Sequence, residues 1–228
     1  MKHNLLAIDA STEALSLALH FSGNTFTHFE ECPQQHSQKI LPLVESLLNQ
    51  ANCTLKELDG IVYGRGPGSF TGVRIGVSVA QGLAYSANLA LCGISTLHAM
   101  AQQAITTHNF SEVISAIDAR MGEVYLGHFT KDSQGYAVAT RDEIVIKPEL
   151  IEADFTGIAA VGTGWQSYTD TAQRLAVNVI ESITLPSAEF MLALGDEAFA
   201  RGETVAPQDA QPHYVRDTVT WKKLPGRE

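Results

Sequence analysis

The feature that most constrains the fold of this chain is a repeated tetrapeptide, Ala-Ile-Asp-Ala, at residues 7–10 and again at residues 116–119. Each copy ends an apolar run, residues 5–9 in the first case and residues 113–119 in the second, and each is followed by a turn and another apolar run. Short apolar runs bounded by turn residues are typical of buried strands. The repeated order of strand, acid, turn and strand therefore predicts a structural duplication, with two α/β halves that meet at a cleft.

Apolar periodicity predicts the other elements of the chain. We assign residues 1–109 to a first half and residues 110–228 to a second half, whose tail could return to the first. Pro42 is expected in the first turn of a helix, where its missing amide costs little. The predicted elements are strands at residues 15–21, 25–30, 90–94 and 157–161, a glycine turn at residues 162–165, and helices at residues 40–51, 73–87, 96–107 and 188–201.

A glycine-rich loop at residues 64–76, with the sequence GRGPGSFTGVRIG, lies between a predicted strand and a predicted helix. Glycines permit positive φ and close approach of two backbones, and amides at a helix N-terminus can hold an anion. The loop is not a Walker P-loop, because no Lys-Ser or Lys-Thr pair follows a glycine. It is not a dinucleotide fingerprint either, because Thr71 stands where the third glycine is needed. Arg65 and Arg74 flank the loop and could meet an anion or stabilise the loop itself.

Duplicated strands that each carry an acid at the first turn indicate an α/β protein with the actin-like ATPase (ASKHA) fold. In that fold, hairpins from the two halves hold nucleotide phosphates and magnesium in the cleft. Asp9 and Asp118 would then face each other, although each carboxylate could instead cap its own turn by bonding the backbone. Ser69 is also the expected N-cap of the following helix. The candidate phosphate-binding residues are Asp9, Ser11, Gly66, Gly68, Ser69 and Asp118.

The helix after the glycine loop carries a stripe of small residues at i, i+4 spacing, which lets another backbone approach closely. The stripe could pack inside the subunit or form a helix–helix contact between subunits, while Ile75, Val79 and Leu83 on a second face could enter the core. The candidate interface residues are Gly72, Gly76, Ala80 and Ala84 of this stripe, with Ile40, Leu43 and Leu47 of the preceding helix.

The charge balance bears on nucleic-acid binding. Fifteen Lys and Arg against twenty-five Asp and Glu give a formal net charge of −10, which opposes contact with a phosphate backbone by this chain alone. A small basic cluster, Lys222, Lys223 and Arg227, is expected to be a solvated tail. No apolar run is long enough to span a bilayer, and three scattered cysteines suggest a reducing compartment, so we predict a cytoplasmic protein without a membrane anchor.

Recognisable catalytic and metal-binding patterns are missing from the sequence. The eight histidines include no H-E-x-x-H motif and no pair at i, i+4. His36 and His98 are expected to be structural, and the three cysteines to be small core residues. The composition therefore leaves no candidate nucleophile or metal site.

Several segments of the chain resemble the TsaB (YeaZ) family. They include LAIDASTE at residues 6–13, GRGPGSFTGVRIG at 64–76, DARMGEVY at 118–125, VGTGW at 161–165 and YVR at 214–216. The resemblance implies an actin-like ATPase fold. It also implies a role in forming threonylcarbamoyladenosine (t6A) in tRNAs that read codons beginning with A.

The resemblance further implies a non-catalytic subunit that activates the paralogue TsaD, with the ATPase TsaE as third member of the complex. A homodimer is implied for the isolated chain, and tRNA contact only through the complex. The places of the two metal-binding histidines of the paralogue fall on Thr96 and Met100, which predicts no bound metal. No tightly bound cofactor is implied, although ATP or ADP with magnesium could bind within the complex. The alternative functions are a small-molecule kinase or ATPase that uses the cleft, and a glycoprotease-like peptidase.

Overall fold

The computed structural model describes residues 1–216, which form an α/β protein with two mixed sheets. The first sheet has the order β3-β2-β1-β4-β5, in which β1, β2 and β3 form an antiparallel meander and β4 and β5 run parallel to β1. Its strands are β1 (Leu5–Asp9), β2 (Ala14–Phe21), β3 (Asn24–Glu31), β4 (Gly60–Gly64) and β5 (Ala90–Ile94).

The second sheet repeats this topology. Its order is β8-β7-β6-β10-β11, with an antiparallel meander followed by two parallel strands, and β9 pairs with β7 outside this path. Its strands are β6 (Glu112–Asp118), β7 (Val124–Lys131), β8 (Ala137–Ala139), β9 (Ile144–Ile146), β10 (Ala159–Val161) and β11 (Asn178–Val179). The α/β, actin-like fold class predicted from the sequence is confirmed.

The two Ala-Ile-Asp-Ala segments occupy equivalent hairpins in the two sheets. Asp9 ends β1 opposite Ser16 of β2, and Asp118 ends β6 opposite Val124 of β7. The four-residue repeat therefore marks the same step of the topology twice. The chain passes from one sheet to the other near Asn109, just before β6, and the assignment of two halves divided there stays a prediction.

Within residues 1–216, six α-helices cover the sheets. The predicted starts of the first two helices are wrong, and the second begins at Phe70 rather than at residue 73. The first helix begins at His36 rather than residue 40, so Pro42 lies in its second turn, on the exposed side. The predicted glycine turn at residues 162–165 runs into a short helix, and the strand before it is shorter than expected. The helices are α1 (His36–Gln50), α2 (Phe70–Ala87), α3 (Thr96–His108), α4 (Thr163–Ser167), α5 (Thr169–Arg174) and α6 (Ala188–Arg201).

The order of layers follows from the alternation of side chains in the strands. In β1, Leu6 and Ile8 pack with α1 and α2 on one face, and Leu5 and Ala7 pack with α6 on the other. α3 contacts α6 and also the second sheet, whose far face is covered by α4. α3 and α6 thus lie between the two sheets. No helix within residues 1–216 has the length and apolar character to cross a membrane.

Candidate functional site

The glycine loop packs directly on the turn between β1 and β2. The Ser69 amide donates to the Ser11 carbonyl oxygen at 2.7 Å. A Cβ atom at Gly68 would overlap that same oxygen, and one at Gly72 would overlap the carbonyl oxygen of Ala10. Glycine is therefore required at both positions, because the α2 N-terminus and the turn meet backbone to backbone.

Asp9 is the buried centre of this contact. Its side chain accepts hydrogen bonds from the Ser11 amide at 3.0 Å and the Ser11 hydroxyl at 2.9 Å, and the residue is 1% exposed. Burial raises the pKa of Asp9 to about 6, although the hydrogen bonds from Ser11 act in the opposite direction. The Thr96 hydroxyl donates to the Ser11 hydroxyl at 2.9 Å. Asp9, Ser11 and Thr96 thus form one internal hydrogen-bond network.

Asp118 makes the same turn contact in the second hairpin. Its Oδ1 accepts from the Arg120 amide at 2.9 Å, as Asp9 accepts from the amide two residues later in the chain. The Arg120 guanidinium lies 3.4 Å from Asp118 and 3.3 Å from Glu13 in the β1–β2 turn. The two hairpin turns therefore approach each other through Arg120. Both carboxylates do cap their own turns, as the alternative interpretation requires.

Five of the six candidate phosphate-binding residues come together in the structure. Gly66 lies with Asp9, Ser11, Gly68 and Ser69. Its carbonyl oxygen accepts a hydrogen bond from the amide of Thr96 at 3.0 Å, and Thr96 is part of the Asp9 network. Gly66 has a φ of +93°, which favours glycine. Ser69 is the N-cap of α2, as expected, and accepts from the Gly72 amide at 3.4 Å. The sixth candidate, Asp118, lies in the opposite turn, and phosphate binding by this set stays a prediction.

The prediction that the stripe of small residues on α2 lies at the surface is wrong. Gly72, Gly76, Ala80 and Ala84 are all buried in the chain's own core, facing the β1–β2 turn and the first sheet. Their small side chains let α2 lie against Ala10, which is the internal-packing alternative. In the preceding helix, Ile40 and Leu47 are buried as well, and of the seven candidates only Leu43 is partly exposed.

The second face of α2 lies at the edge of the core instead, whereas Val73 and Val77 of the same helix are buried. Ile75, Val79 and Leu83, which the sequence placed in the core, are half-buried. A groove of about 460 Å³ runs along this side of α2. Its walls are Ser37, Phe70, Thr71, Arg74, Ile75, Ser78 and Val79. We call this surface, together with the 53% exposed Leu41 of α1, the α1–α2 face.

Thr96 and Met100, the two positions that correspond to metal-binding histidines in the catalytic paralogue, are inaccessible to solvent. Thr96 and Met100 are both 0% exposed at the start of α3, and the Thr96 hydroxyl is bonded to Ser11. Within residues 1–216 no group of three His, Cys, Asp or Glu side chains is arranged to hold a metal ion. His98 lies between them in sequence but points elsewhere, with its Nε2 2.6 Å from the Ala137 carbonyl oxygen. The prediction that the chain binds no metal stays a prediction.

Sequence reasoning missed the role of residues 211–216, which have no regular secondary structure. The His213 amide donates to the Arg65 carbonyl oxygen at 2.8 Å, and Arg74 donates to the Tyr214 hydroxyl at 2.8 Å. Arg216 then reaches the second hairpin, where it donates to the Ala119 carbonyl oxygen at 3.1 Å. This segment joins the glycine loop to the β6–β7 turn. The basic cluster of Lys222, Lys223 and Arg227 lies outside the described residues.

Comparisons with known proteins agree on one family. The family model of TsaD, tRNA N6-adenosine threonylcarbamoyltransferase, matches residues 28–221. The tRNA threonylcarbamoyladenosine biosynthesis protein TsaB of Escherichia coli K12 is 44% identical over 98% of this chain and 99% of its own length. TsaB of Haemophilus influenzae is 40% identical over 98% of each chain.

A solved structure matches the whole fold. YeaZ from Pseudomonas aeruginosa superposes with a TM-score of 0.86 at 41% sequence identity, covering 94% of this chain and 100% of that one. The chain belongs to the TsaB (YeaZ) family of tRNA threonylcarbamoyladenosine biosynthesis proteins.

Proposed function

We propose that this chain is a non-catalytic subunit that binds TsaD and activates its transfer of the threonylcarbamoyl group to adenosine in tRNAs that read codons beginning with A. One observation carries the proposal. The chain matches the threonylcarbamoyltransferase family model, yet the metal-ligand places hold Thr96 and Met100. Both are fully buried, and methionine and threonine are poor ligands for a hard catalytic metal. A chain of this fold without its metal ligands is suited to support a catalytic paralogue.

The α1–α2 face is the surface that we propose meets TsaD. It exposes Leu41 by 53% and Phe70 by 57%, beside the half-buried Ile75 and Val79. Apolar side chains around a groove are typical of a protein interface rather than of a solvated helix. In the absence of TsaD, a second copy of this chain would cover the same face, which gives the homodimer implied by the resemblance.

We infer the contacts with tRNA, TsaE and nucleotide from the net charge of the chain and from its place in the complex. With a net charge of −10, the chain reaches tRNA only through TsaD, and TsaE completes the complex. ATP or ADP with magnesium would bind within that complex, and no cofactor is held tightly by this chain alone. The cytoplasmic location predicted from the sequence belongs to the same proposal, because the tRNA substrates are modified there.

A charge placed in the α1–α2 face tests the proposed interface. We expect Val79→Glu to weaken TsaD binding by about tenfold or more, because a carboxylate would be buried without a partner. Its melting temperature should stay close to that of the wild type, since Val79 is only half-buried. Leu150→Glu is the control, because Leu150 is 59% exposed on a 3₁₀ turn beside the second sheet.

The measurements are co-purification with TsaD and tRNA modification by the reconstituted proteins with and without this chain. Full binding by Val79→Glu would remove the α1–α2 face from the interface. Modification at an undiminished rate without this chain would overturn the activating role. ATP turnover or defined peptide cleavage by the isolated chain would replace the proposal with one of the two enzymatic alternatives.

Binding of tRNA by the isolated chain is expected to be weak at physiological salt. The excess of carboxylates repels the phosphate backbone, so counterion release contributes little to affinity. Filter binding with unmodified tRNA across a salt series measures this directly. Sub-micromolar affinity for this chain alone would contradict the expectation and would require a basic surface that the overall charge conceals.

A further inference from the structure

Arg74 is one of the two arginines beside the glycine loop, and the sequence leaves open whether it meets an anion or stabilises the loop. The residue is exposed on the second turn of α2, where it forms part of the groove wall in the α1–α2 face. No Asp or Glu within residues 1–216 forms an ion pair with its guanidinium group. In a chain with a net charge of −10, this cation is therefore available to a partner.

Two aromatic side chains hold the guanidinium group of Arg74 in place. Its Cζ atom lies 3.4 Å from the centroid of the Phe70 ring, and its Nε donates to the Tyr214 hydroxyl at 2.8 Å. The terminal nitrogens, Nη1 and Nη2, carry four N–H donors, which bond no other residue of the described chain. Because the group is already oriented, an acceptor that meets these donors imposes little further loss of side-chain entropy.

The neighbouring arginines at the β6–β7 turn differ from Arg74 because their charges are paired. Arg120 lies 3.3 Å from Glu13. Arg216 lies 2.5 Å from Glu123. A nucleic-acid backbone carries a charge at every phosphate and needs several free cations along its path. A single free and oriented guanidinium group instead fits a single anionic side chain.

The surroundings of Arg74 favour a protein as the source of that anion. Phe70, Ile75 and Val79 line the same groove. Tyr214 is 45% exposed, and its ring centroid lies 6.0 Å from that of Phe70. A partner protein that covers these apolar side chains would exclude water from around Arg74, and a charge pair is stronger where water is excluded. Arginine and aromatic residues are also the types that contribute most to binding at protein interfaces.

We propose that Arg74 determines the specificity of the α1–α2 face by binding an aspartate or glutamate side chain of TsaD. Nη1 and Nη2 donate to the two carboxylate oxygens in a paired contact, while Phe70 and Tyr214 keep the guanidinium group oriented. This inference rests on the proposed function, since it names the chemistry that the partner must present to the same face. It assigns Arg74 to an anion outside the chain rather than to the glycine loop.

Variants of Arg74 in the full chain test the contact, with the affinity for purified TsaD measured by isothermal titration calorimetry. Arg74→Gln should lower the affinity about tenfold or more, because a charged hydrogen-bonded pair is lost. Arg74→Lys, which keeps the charge but not the paired donors, should fall between this variant and the wild type. Arg74→Glu should bind most weakly, because it places like charges together. Melting curves establish that all three variants fold.

Arg141→Gln is the matched control. Arg141 is also exposed and also lies over an aromatic ring, 5.8 Å from the centroid of Phe155, but it is outside the α1–α2 face. This variant should bind TsaD as the wild type does. Weakening by Arg141→Gln equal to that by Arg74→Gln would show a general effect of net charge and would overturn the specific contact.

The dependence of binding on salt separates a charge pair from lost packing. The dissociation constant of the wild type should rise more steeply with sodium chloride concentration than that of Arg74→Gln, because salt screens the charge pair. Equal salt dependence would overturn the proposal. So would loss of tRNA affinity by Arg74→Gln with TsaD binding unchanged, since the anion would then be a phosphate.

Val79→Glu distinguishes failure of this inference from failure of the proposed interface. Weaker TsaD binding by Val79→Glu, with wild-type affinity in Arg74→Gln, would keep the α1–α2 face as the interface and overturn the carboxylate contact. Wild-type affinity in both variants would remove the face and the contact together. Weaker binding by both, with the reduced salt dependence of Arg74→Gln, is the result that we expect.

Discussion

Replacement of Gly72 by alanine is expected to lower the free energy of unfolding by about 3 kcal/mol, although alanine is the better helix former. The reason is steric. A Cβ atom at Gly72 would overlap the carbonyl oxygen of Ala10, and a backbone atom cannot rotate away as a side chain can. Either α2 must move off the first sheet or the β1–β2 turn must shift, and both movements disturb the buried Asp9 network.

Gly82 offers a matched control within the same helix. It is exposed on α2, and an added Cβ would meet no atom within 4 Å. Gly82→Ala should therefore raise the free energy of unfolding by about 0.5–1 kcal/mol, the usual gain from removing glycine inside a helix. Urea denaturation of the two variants and the wild type gives both values. Equal stabilisation by the two substitutions would show that α2 does not approach Ala10 this closely.

The sequence could not show whether the small-residue stripe of α2 faces the chain's own core or the surface. Periodicity identified two faces on this helix, one of small residues and one of Ile75, Val79 and Leu83, but it carries no information on which neighbour each face meets. The deciding fact is the distance of α2 from the β1–β2 turn, 60 residues earlier in the chain. Because α2 contacts backbone there, its glycines face inward, and Ile75, Val79 and Leu83 on the second face are left half-buried.

Elements with local signals were predicted well. β1 (Leu5–Asp9), β5 (Ala90–Ile94) and α6 (Ala188–Arg201) have the predicted bounds, because each is a buried apolar pattern with a clear terminator. Gly202 ends α6 in the left-handed conformation, as its position suggests. The start of α1 was missed because its first turn contains a buried polar residue, His36, whose Nε2 lies 3.2 Å from the Ala14 carbonyl oxygen.

Five of the six residues predicted for the candidate site lie together, but the hydrogen bonds that join them were not predicted. The repeat and the glycine loop were enough to bring Asp9, Ser11 and Gly68 together. That Thr96 completes the network could not be predicted, because it bonds Ser11 across 85 residues of sequence. The segment at residues 211–216 had no periodicity at all, since it is held by separate backbone and arginine contacts rather than by a repeating ladder.

Asp9 should make the chain less stable as the pH rises. Its pKa in the folded state is raised to about 6, against an ordinary value of 3.8, because burial penalises the carboxylate. The folded state therefore holds the proton more tightly than the unfolded state does. The stabilising effect of that proton is complete below about pH 4 and is lost as the pH rises through 6, and a shift of two units corresponds to about 3 kcal/mol.

Asp9→Asn isolates this effect, because asparagine keeps the shape and the oxygen that accepts from the Ser11 amide but carries no charge at any pH. The free energy of unfolding of the wild type, minus that of Asp9→Asn, should fall by about 3 kcal/mol between pH 4 and pH 8. Urea titrations at unit intervals of pH measure it, and other titrating groups cancel in the difference. Asp118→Asn, at the more exposed equivalent turn, controls for loss of charge as such. A difference independent of pH would contradict a buried, protonated Asp9.

The same titration separates the two interpretations of the hairpin acids. If Asp9 only caps its turn, magnesium with ADP should leave the pH profile of the wild type unchanged. If Asp9 also helps to hold a magnesium–phosphate group, the bound cation would favour the carboxylate and lower its pKa. Magnesium and ADP would then stabilise the wild type at pH 8 and leave Asp9→Asn unaffected. Because the Asp9 network is sealed by Thr96 and the glycine loop, we expect the unchanged profile for the isolated chain.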